Sequence, residues 1–154
     1  MVCDACEIKN LLYTYADRID RGDLEGVADM FTHANLINRG ASGEKIVLEG
    51  REGALATYRN FTRLYEDNGT PHTKHVTTNV IVEVDDSGVA ASTRAYAVVF
   101  QAVDDFPLQP IIGVRYYDRF EKIDGKWRFS EREIESDLFG DLSRHLLQPH
   151  PPHG

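Results

Sequence analysis

Three residues in the first half of the sequence carry side chains that can move a proton or bind developing charge: Tyr15, Asp20 and His75. Histidine is the usual side-chain base at neutral pH, because its ordinary pKa lies near that range. A carboxylate that accepts the Nδ1–H of a histidine fixes its tautomer and stabilises the imidazolium ion. Asp20 could therefore accept a hydrogen bond from a histidine across a cavity. His72 and His75 both flank the start of the first long strand, and the alternative for His75 is a structural residue with satisfied hydrogen bonds. Tyr15 is a phenol whose hydroxyl would need a partner if it is buried.

The periodicity of the first segment predicts where Tyr15 and Asp20 point. Apolar side chains recur at helical spacing, and Gly22 is placed to end the helix. Asp20 lies about 110° from the centre of the apolar stripe, at its border, whereas Tyr15 lies within it. Asp20 can then reach the edge of a buried cavity. The structural alternative is that Asp20 only caps the helix or pairs with Arg18 or Arg21. The stripe consists of Ile8, Leu11, Leu12, Tyr15, Ala16 and Ile19.

The next elements continue the helical half of the chain. Asp23 is a predicted N-cap for a second helix, whose apolar face includes Phe31. Two short strands, over residues 34–39 and 45–49, flank a turn at 41–43. A third helix is predicted from Gly50 to about Tyr65, with Ala54, Leu55, Tyr58, Phe61, Leu64 and Tyr65 on its buried face.

The second half changes to strand periodicity. Strands are predicted over residues 75–84, 89–102, 111–123 and 126–136, and Asp124-Gly125 is a strong signal for a two-residue hairpin turn. Helices followed by an antiparallel meander indicate an α+β fold. Long antiparallel strands curl, so we expect three helices to cover the concave face and enclose a cone-shaped pocket.

The strand that carries His75 presents a problem of parity. His75 is at an odd position, whereas Val76, Val80 and Val82 are at even positions. A regular strand therefore places His75 on the face opposite to these valines. A bulge around Thr77-Thr78 would reset the alternation. Burial of both faces by an oligomer would also resolve the conflict, and the sequence leaves both explanations open.

Composition narrows the classes of partner. The 17 Lys and Arg against 25 Asp and Glu give a net charge of −8, which disfavours a nucleic-acid partner. No apolar run is long enough to span a membrane, and the N-terminus does not resemble a secretory signal. Cys3 and Cys6 have C-x-x-C spacing but no second pair, so we expect two incidental thiols, no metal site and a cytoplasmic location.

The end of the chain is rich in proline and histidine. We expect residues 1–147 to form one domain and residues 148–154 to be a flexible tail. Three histidines in or near the tail are expected to be solvated; they are His145, His150 and His153.

Three segments in this order resemble the SnoaL-like branch of the nuclear transport factor 2-like superfamily. They are IKNLLYTYADRIDRGDLEGVADMF, TKHVTTNVIVEV and GVRYYDRFEKIDGKWRFSER, and the resemblance covers about residues 5–140. The superfamily fold is a curved antiparallel sheet with three N-terminal helices that enclose a conical pocket. Within it the chain is similar to scytalone dehydratase, a bile-acid dehydratase and a hexachlorocyclohexane dehydrochlorinase. The resemblance implies catalytic roles for Asp20, His75 and Tyr15 and an elimination, isomerisation or cyclisation reaction without a cofactor.

The implied ligand is small and largely apolar, such as a steroid, terpenoid, polyketide or aromatic compound. We expect Phe31, Tyr58, Tyr96 and Arg132 to contact it. The structural alternative for Arg132 is a salt-bridged arginine on the face of the sheet. The functional alternative is a non-catalytic binding or assembly module, such as a dioxygenase small-subunit-like protein. An apolar outward sheet face also predicts a homodimer or homotrimer. The candidate contacts are Val98, Phe100, Ile112 and Val114, or their neighbours of opposite strand parity.

Overall fold

Three helices and six strands make up the computed structural model, which describes residues 3–39 and 43–148. Two residues of the predicted 41–43 turn, and residues 149–154 of the predicted tail with His150 and His153, lie outside these ranges. The elements in chain order are α1 (Asp4–Asp20), α2 (Leu24–Asp29), β1 (Asn35–Arg39), β2 (Lys45–Glu49), α3 (Gly50–Phe61), β3 (Thr73–Val84), β4 (Ala90–Val103), β5 (Phe106–Ile123) and β6 (Lys126–Phe139).

The strands form one curved sheet in the order β2-β1-β6-β5-β4-β3. Strands β3 to β6 are an antiparallel meander, as predicted, because short turns such as Asp124-Gly125 force neighbouring strands to reverse. The expectation of a wholly antiparallel sheet is wrong for β1, which runs parallel to β6. No hairpin joins these two strands, so their relative direction is a result of tertiary packing.

Gly22 ends α1 and brings this end of the helix against the loop that precedes β3. Its φ of 77° lies in the left-handed region that glycine adopts without strain. A Cβ atom at this position would lie 2.1 Å from the carbonyl oxygen of Gly69. The close approach places Asp20, the last residue of α1, beside the first residues of β3.

Helix α3 ends at Phe61, four residues before the predicted end. Thr62 has extended backbone angles and forms an isolated β-bridge with Leu146, which follows β6. Phe61 and Leu64, which were predicted to be buried, are 42% and 38% exposed. Pairing with a distant segment therefore ends the helix before the apolar periodicity does.

A bulge in β3 resolves the parity of His75. The register against β4 shifts between Thr78 and Ile81, and Asn79 has a φ of 54°. Before the shift, Thr73 and His75 face the helices; after it, Val80 packs against the core instead. The bulge explanation is confirmed, and its position lies one to two residues beyond the predicted one.

The two cysteines form a disulfide, so the expectation of incidental thiols is wrong. Cys3 is the N-cap of α1, and the first helical turn brings its Cα atom to 5.2 Å from that of Cys6. This separation is within the usual range for a disulfide. The cytoplasmic location, which was inferred partly from free thiols, stays a prediction. None of the described helices has the length and apolar composition needed to cross a bilayer.

Candidate active site

The structure brings Asp20 and His75 together at the border between α1 and β3. Nδ1 of His75 lies 2.6 Å from Oδ1 of Asp20, and the two side chains are 8% and 11% exposed. The backbone N–H of His75 also donates to Oδ2 of Asp20, over 2.8 Å. The alternative that Asp20 pairs only with Arg18 or Arg21 is wrong: Arg21 binds Asp17, and Arg18 binds the carbonyl oxygen of Gly26.

Thr73 completes the environment of the Asp20 carboxylate. Its hydroxyl donates to Oδ1 of Asp20 over 2.8 Å, so the carboxylate accepts three hydrogen bonds from β3. Burial alone would raise the pKa of Asp20, but the hydrogen bonds from His75 and Thr73 outweigh it and lower the pKa. Asp20 is therefore held as a carboxylate, and Nδ1 of His75 is the nitrogen that carries the proton.

The second ring nitrogen of His75 is available for chemistry. Within residues 3–39 and 43–148, Nε2 of His75 has no hydrogen-bond partner. With the proton on Nδ1, Nε2 carries a lone pair and can accept a proton from a bound molecule. The dyad thus has the geometry of a general base with an orienting carboxylate.

A second carboxylate–cation pair lies deeper, between β5 and β6. Nε and Nη2 of Arg132 each donate to Asp118 over 2.8 Å, and the two side chains are 1% and 0% exposed. Burial alone would lower the pKa of Arg132, but the charge of Asp118 outweighs it and raises that pKa further. Nη1 of Arg132 is buried without a partner among the described residues.

Aromatic rings surround the guanidinium group of Arg132. Its central carbon lies 3.8 Å from the ring centroid of Tyr116 and 4.3 Å from that of Tyr15. Phe31 and Phe129 stack with their centroids 5.4 Å apart on the same side of the sheet. The predicted cone is therefore packed with aromatic side chains around one buried charge pair, whereas an open apolar cavity was expected.

Tyr15 and Tyr58 are joined through their hydroxyl groups, whose oxygens lie 2.5 Å apart. Burial raises the pKa of Tyr15 and, more strongly, that of Tyr58, so both are neutral phenols. Burial likewise raises the pKa of Tyr116, and the negative charge of Asp20 adds to this effect. The tyrosine cluster and the dyad are therefore neighbouring parts of one interior.

Tyr96 does not join the other candidates, and its expected place in the pocket is wrong. It is 45% exposed on the outer face, where Arg115 lies over its ring at 5.2 Å. The alternation of β4 explains this placement, since Ala95 and Ala97 on either side are buried. The other four candidates are buried between the helices and the inner face of the sheet; they are Tyr15, Tyr58, Phe31 and Arg132.

Asp118 and Thr73 were not among the predicted site residues, although the sequence pattern points to both. Asp118 has the same strand parity as the large aromatic residues Tyr116 and Phe120. A carboxylate in such a row needs a buried partner, and Arg132 is that partner. Thr73 precedes His75 by two residues, so the two side chains share a face.

His145 is also placed differently from the prediction. It was expected to be solvated, but its side chain is half-buried and its Nδ1 is shielded from solvent without a partner among the described residues. Burial, together with the charge of His75, lowers the pKa of His145 to about 4, although Asp20 acts in the opposite direction. The low pKa keeps His145 an uncharged imidazole near neutral pH.

A groove of about 760 Å³ opens at the C-terminal end of α1, and Asp20, His72, Thr73, Gln101 and Leu108 contribute to its wall. The groove brings solvent-accessible space to the Asp20 side of the dyad, and its wall mixes polar with apolar side chains. In the described part of the chain, no three His, Cys, Asp or Glu side chains converge as a metal site requires.

The chain is similar to a known protein family and to solved structures. A family model described as a SnoaL-like domain matches residues 1–133. A search of curated proteins finds no match.

Solved structures match over most of the chain. Rv3472 from Mycobacterium tuberculosis, a protein of unknown function, is 28% identical, with a TM-score of 0.67 over 88% of this chain and 73% of that one. An NTF2-like protein with a cystatin-like fold from Novosphingobium aromaticivorans is 21% identical, with a TM-score of 0.67 over 85% of this chain and 80% of that one. A candidate scytalone dehydratase from the same species is 21% identical, with a TM-score of 0.65 over 88% and 85%. These matches confirm the α+β fold predicted from the sequence.

Proposed function

The chain belongs to the SnoaL-like domain family, and we propose that it is a cofactor-independent enzyme that removes a proton from carbon in a small, largely apolar ligand. The family is the one expected from the sequence. The observation that carries the proposal is the Asp20–His75 dyad, whose Nδ1 is occupied by the carboxylate and whose Nε2 has no partner among the described residues.

The reaction begins at His75. Nε2 takes a proton from a carbon atom that a neighbouring carbonyl or leaving group activates, and the imidazolium ion that forms is stabilised by Asp20. The three hydrogen bonds to Asp20 keep the carboxylate oriented, so the ring of His75 does not have to reorient during the step. General-base catalysis of this kind contributes about 10²–10⁴-fold to the rate.

The hydroxyl groups of Tyr15 and Tyr58 are suited to stabilise a substrate oxygen that gains negative charge or leaves during the reaction. Tyr15 and Tyr58 share one hydrogen bond, so one hydroxyl hydrogen of the pair remains available as a donor. Nη1 of Arg132 is a second buried donor without a partner among the described residues. A negative charge that develops beside these groups is stabilised by donors already in place. The outcome would be elimination, isomerisation or aldol-type cyclisation.

Deuterium exchange tests the proposal whatever the product of the reaction is. Hydroxysteroids, terpenoids and polyketides that raise the melting temperature are incubated with the protein in D₂O, and incorporation of deuterium into carbon is followed by mass spectrometry. We expect exchange with the wild type and a loss of about 10²–10⁴-fold in the His75→Gln variant.

His33→Gln is a matched control, because His33 is an exposed histidine that follows α2 and does not line the groove beside the dyad. This variant should exchange at the wild-type rate. Full exchange activity in His75→Gln would contradict the enzyme proposal and favour the alternative, a binding or assembly module.

The outer face of the sheet supports a second part of the proposal, a homodimer or homotrimer. Large apolar side chains on this face are exposed, among them Val76 at 42%, Ile81 at 50% and Leu138 at 68%. Of the contacts predicted there, Val114 faces the core instead. Light scattering coupled to size exclusion would measure the mass, and Ile81→Lys should shift it towards the monomer if a second copy covers this face.

A further inference from the structure

The segment that follows β6 folds back over the dyad side of the molecule. We call residues 141–148 the C-terminal strap. Its main chain is held along the end of α3: the N–H of Arg63 donates to the carbonyl oxygen of His145 over 2.9 Å, and the N–H of Leu147 donates to that of Phe61 over 2.9 Å. The strap is therefore fixed by backbone hydrogen bonds that do not involve the side chain of His145.

Gln101 ties the strap to the strands that carry the dyad. Its side chain is buried, and Nε2 donates to the carbonyl oxygens of Pro71 and Arg144, over 3.0 Å in each case. Gln101 lies directly opposite Thr73 in the β3–β4 register, and Thr73 binds Asp20. The residue after Arg144 is His145, so this network sets the position of His145 relative to the dyad.

The side chain of His145 has no structural task that the described residues reveal. Its Nδ1 is shielded from solvent and unpartnered, and a buried polar atom without a partner is costly. Gln101 binds the carbonyl oxygen of the preceding residue, Arg144, and lies opposite Thr73, which binds Asp20; His145 is therefore held on the dyad side of the sheet. A half-buried imidazole in this position, with a shielded and unpartnered Nδ1, has the properties of a ligand contact.

We propose that His145 is a ligand-contacting residue that selects an apolar ligand bearing a hydroxyl group, which its Nδ1 binds beside the carbon atom facing His75. A hydroxyl group can either donate to or accept from this nitrogen, so it matches both neutral tautomers of histidine. The proposal rests on the proposed function for the identity of the site. It adds a polar requirement that the dyad alone does not impose.

A pair of probes that differ by one hydroxyl group tests the selection. Binding of 2-naphthol and of naphthalene is measured by equilibrium dialysis for the wild type, His145→Leu and His145→Gln. We expect the wild type to prefer 2-naphthol by roughly 3- to 10-fold, as one net hydrogen bond provides. His145→Leu should lose the preference while retaining naphthalene, and His145→Gln, which keeps a polar group, should retain part of it.

The free protein supplies a second readout. Since Nδ1 has no partner to lose, the melting temperature of His145→Leu should equal or exceed that of the wild type, and that of His145→Gln should stay close to it. A marked fall in both variants would show that the side chain is structural and would overturn the proposal. An unchanged preference for 2-naphthol in His145→Leu would overturn it too, as would a wild type that binds neither probe.

These outcomes are separable from failure of the proposed function. If deuterium exchange survives in His75→Gln but the preference is lost in His145→Leu, the ligand contact stands and the catalytic role falls. If exchange depends on His75 while the preference persists in His145→Leu, the catalytic role stands and this inference falls.

Discussion

Two carboxylates on the inner side of the sheet are each paired with a basic side chain. The two pairs differ in exposure, in hydrogen bonding and in the ability of the basic group to accept a proton. Asp118 and Arg132 are 0% and 1% exposed and held by two parallel hydrogen bonds, whereas Asp20 and His75 are 11% and 8% exposed. Arg132 keeps its charge at every working pH, but the imidazole of His75 has a neutral form whose Nε2 can accept a proton. The first pair is suited to fixed charge, and the second to proton transfer.

The comparison teaches that burial and pairing alone do not identify a catalytic group. Both carboxylates have satisfied partners, and both lie among residues that the helices cover. The difference lies in the basic partner: the Arg132 guanidinium cannot act as a base, while the neutral imidazole of His75 has a lone pair on Nε2 that can accept a proton. We therefore assign the proposed reaction to the dyad, and to the Arg132 pair the electrostatic field around it.

The largest expected effect is on catalysis at the dyad. Asp20→Asn removes the charge that stabilises the His75 imidazolium ion, so deuterium exchange should fall by about 10²–10⁴-fold. Asp17→Asn is the matched control on the same helix, because Asp17 is exposed and its carboxylate pairs with Arg21. Equal exchange rates in Asp20→Asn and Asp17→Asn would contradict the assignment of the reaction to the Asp20–His75 dyad.

The next largest effect is on stability at the buried pair. Arg132→Met leaves the Asp118 carboxylate buried without its partner, so the free energy of unfolding should fall by about 3–5 kcal/mol. Urea denaturation with circular dichroism measures this change. The double variant Arg132→Met, Asp118→Leu should recover most of the loss, because no unpaired charge remains; a double variant as unstable as the single one would show that the charges are not the cause.

A third effect is the contribution of His145 to the pH dependence of the free energy of unfolding. The pKa of His145 is about 4 in the folded protein, below its ordinary value near 6.5, so the unfolded chain takes up this proton first. Stability from this group is full above pH 6.5 and falls as the pH drops towards 4, by about 3 kcal/mol.

Urea denaturation of His145→Leu should lack this part of the pH dependence. The charged groups that act on His145 are His75 on β3 and Asp20 on α1. Asp20 has a lowered pKa, so its own contribution is lost only at lower pH, as its carboxylate becomes protonated. Identical pH profiles for the wild type and the variant would show that His145 titrates normally and is not shielded from solvent.

A smaller effect tests the bulge that turns His75 inward. Asn79 has a φ of 54°, where a β-branched residue is strained, so Asn79→Val should lower the free energy of unfolding by roughly 1–2 kcal/mol. Asn79→Gly should be nearly neutral, since glycine adopts this conformation freely. Comparable losses in both variants would mean that the Asn79 side chain, and not its backbone angle, maintains the bulge.

The smallest effect is expected at an exposed pair on the outer face. Arg94 and Glu83 lie 3.6 Å apart, and their side chains are 58% and 66% exposed. Arg94→Ala should change the free energy of unfolding by less than about 1 kcal/mol, because solvent screens such pairs. A larger loss would show that this face is covered in the assembled protein.

Local patterns were sufficient to predict most of the elements. The apolar stripe of α1 and Gly22 predict the helix, its end and the border position of Asp20, because these depend on helix geometry and on local backbone sterics. The turn at Asp124-Gly125 follows from left-handed backbone angles that this pair adopts. The pairing of Asp20 with His75 was expected from helix angle and family resemblance together.

Long-range contacts account for the rest. The end of α3, the disulfide and the partial burial of His145 depend on which segments pack together, and no local period records that information. Tyr96 was misplaced for a related reason: strand alternation gives two faces, but only packing decides which of them the helices cover.

The sequence by itself determined the order of helices and strands and the family. It also provided the three candidate site residues, Tyr15, Asp20 and His75. The tertiary structure decided between the alternatives that the sequence left open: Asp20 binds His75 and not Arg18 or Arg21, and a bulge turns His75 inward. It alone showed that Arg132 is buried against Asp118. The physical reason is that helix and strand periods arise from neighbouring residues. The partner of a buried charge, in contrast, is fixed by contacts 14 residues apart for Asp118 and Arg132 and 55 apart for Asp20 and His75.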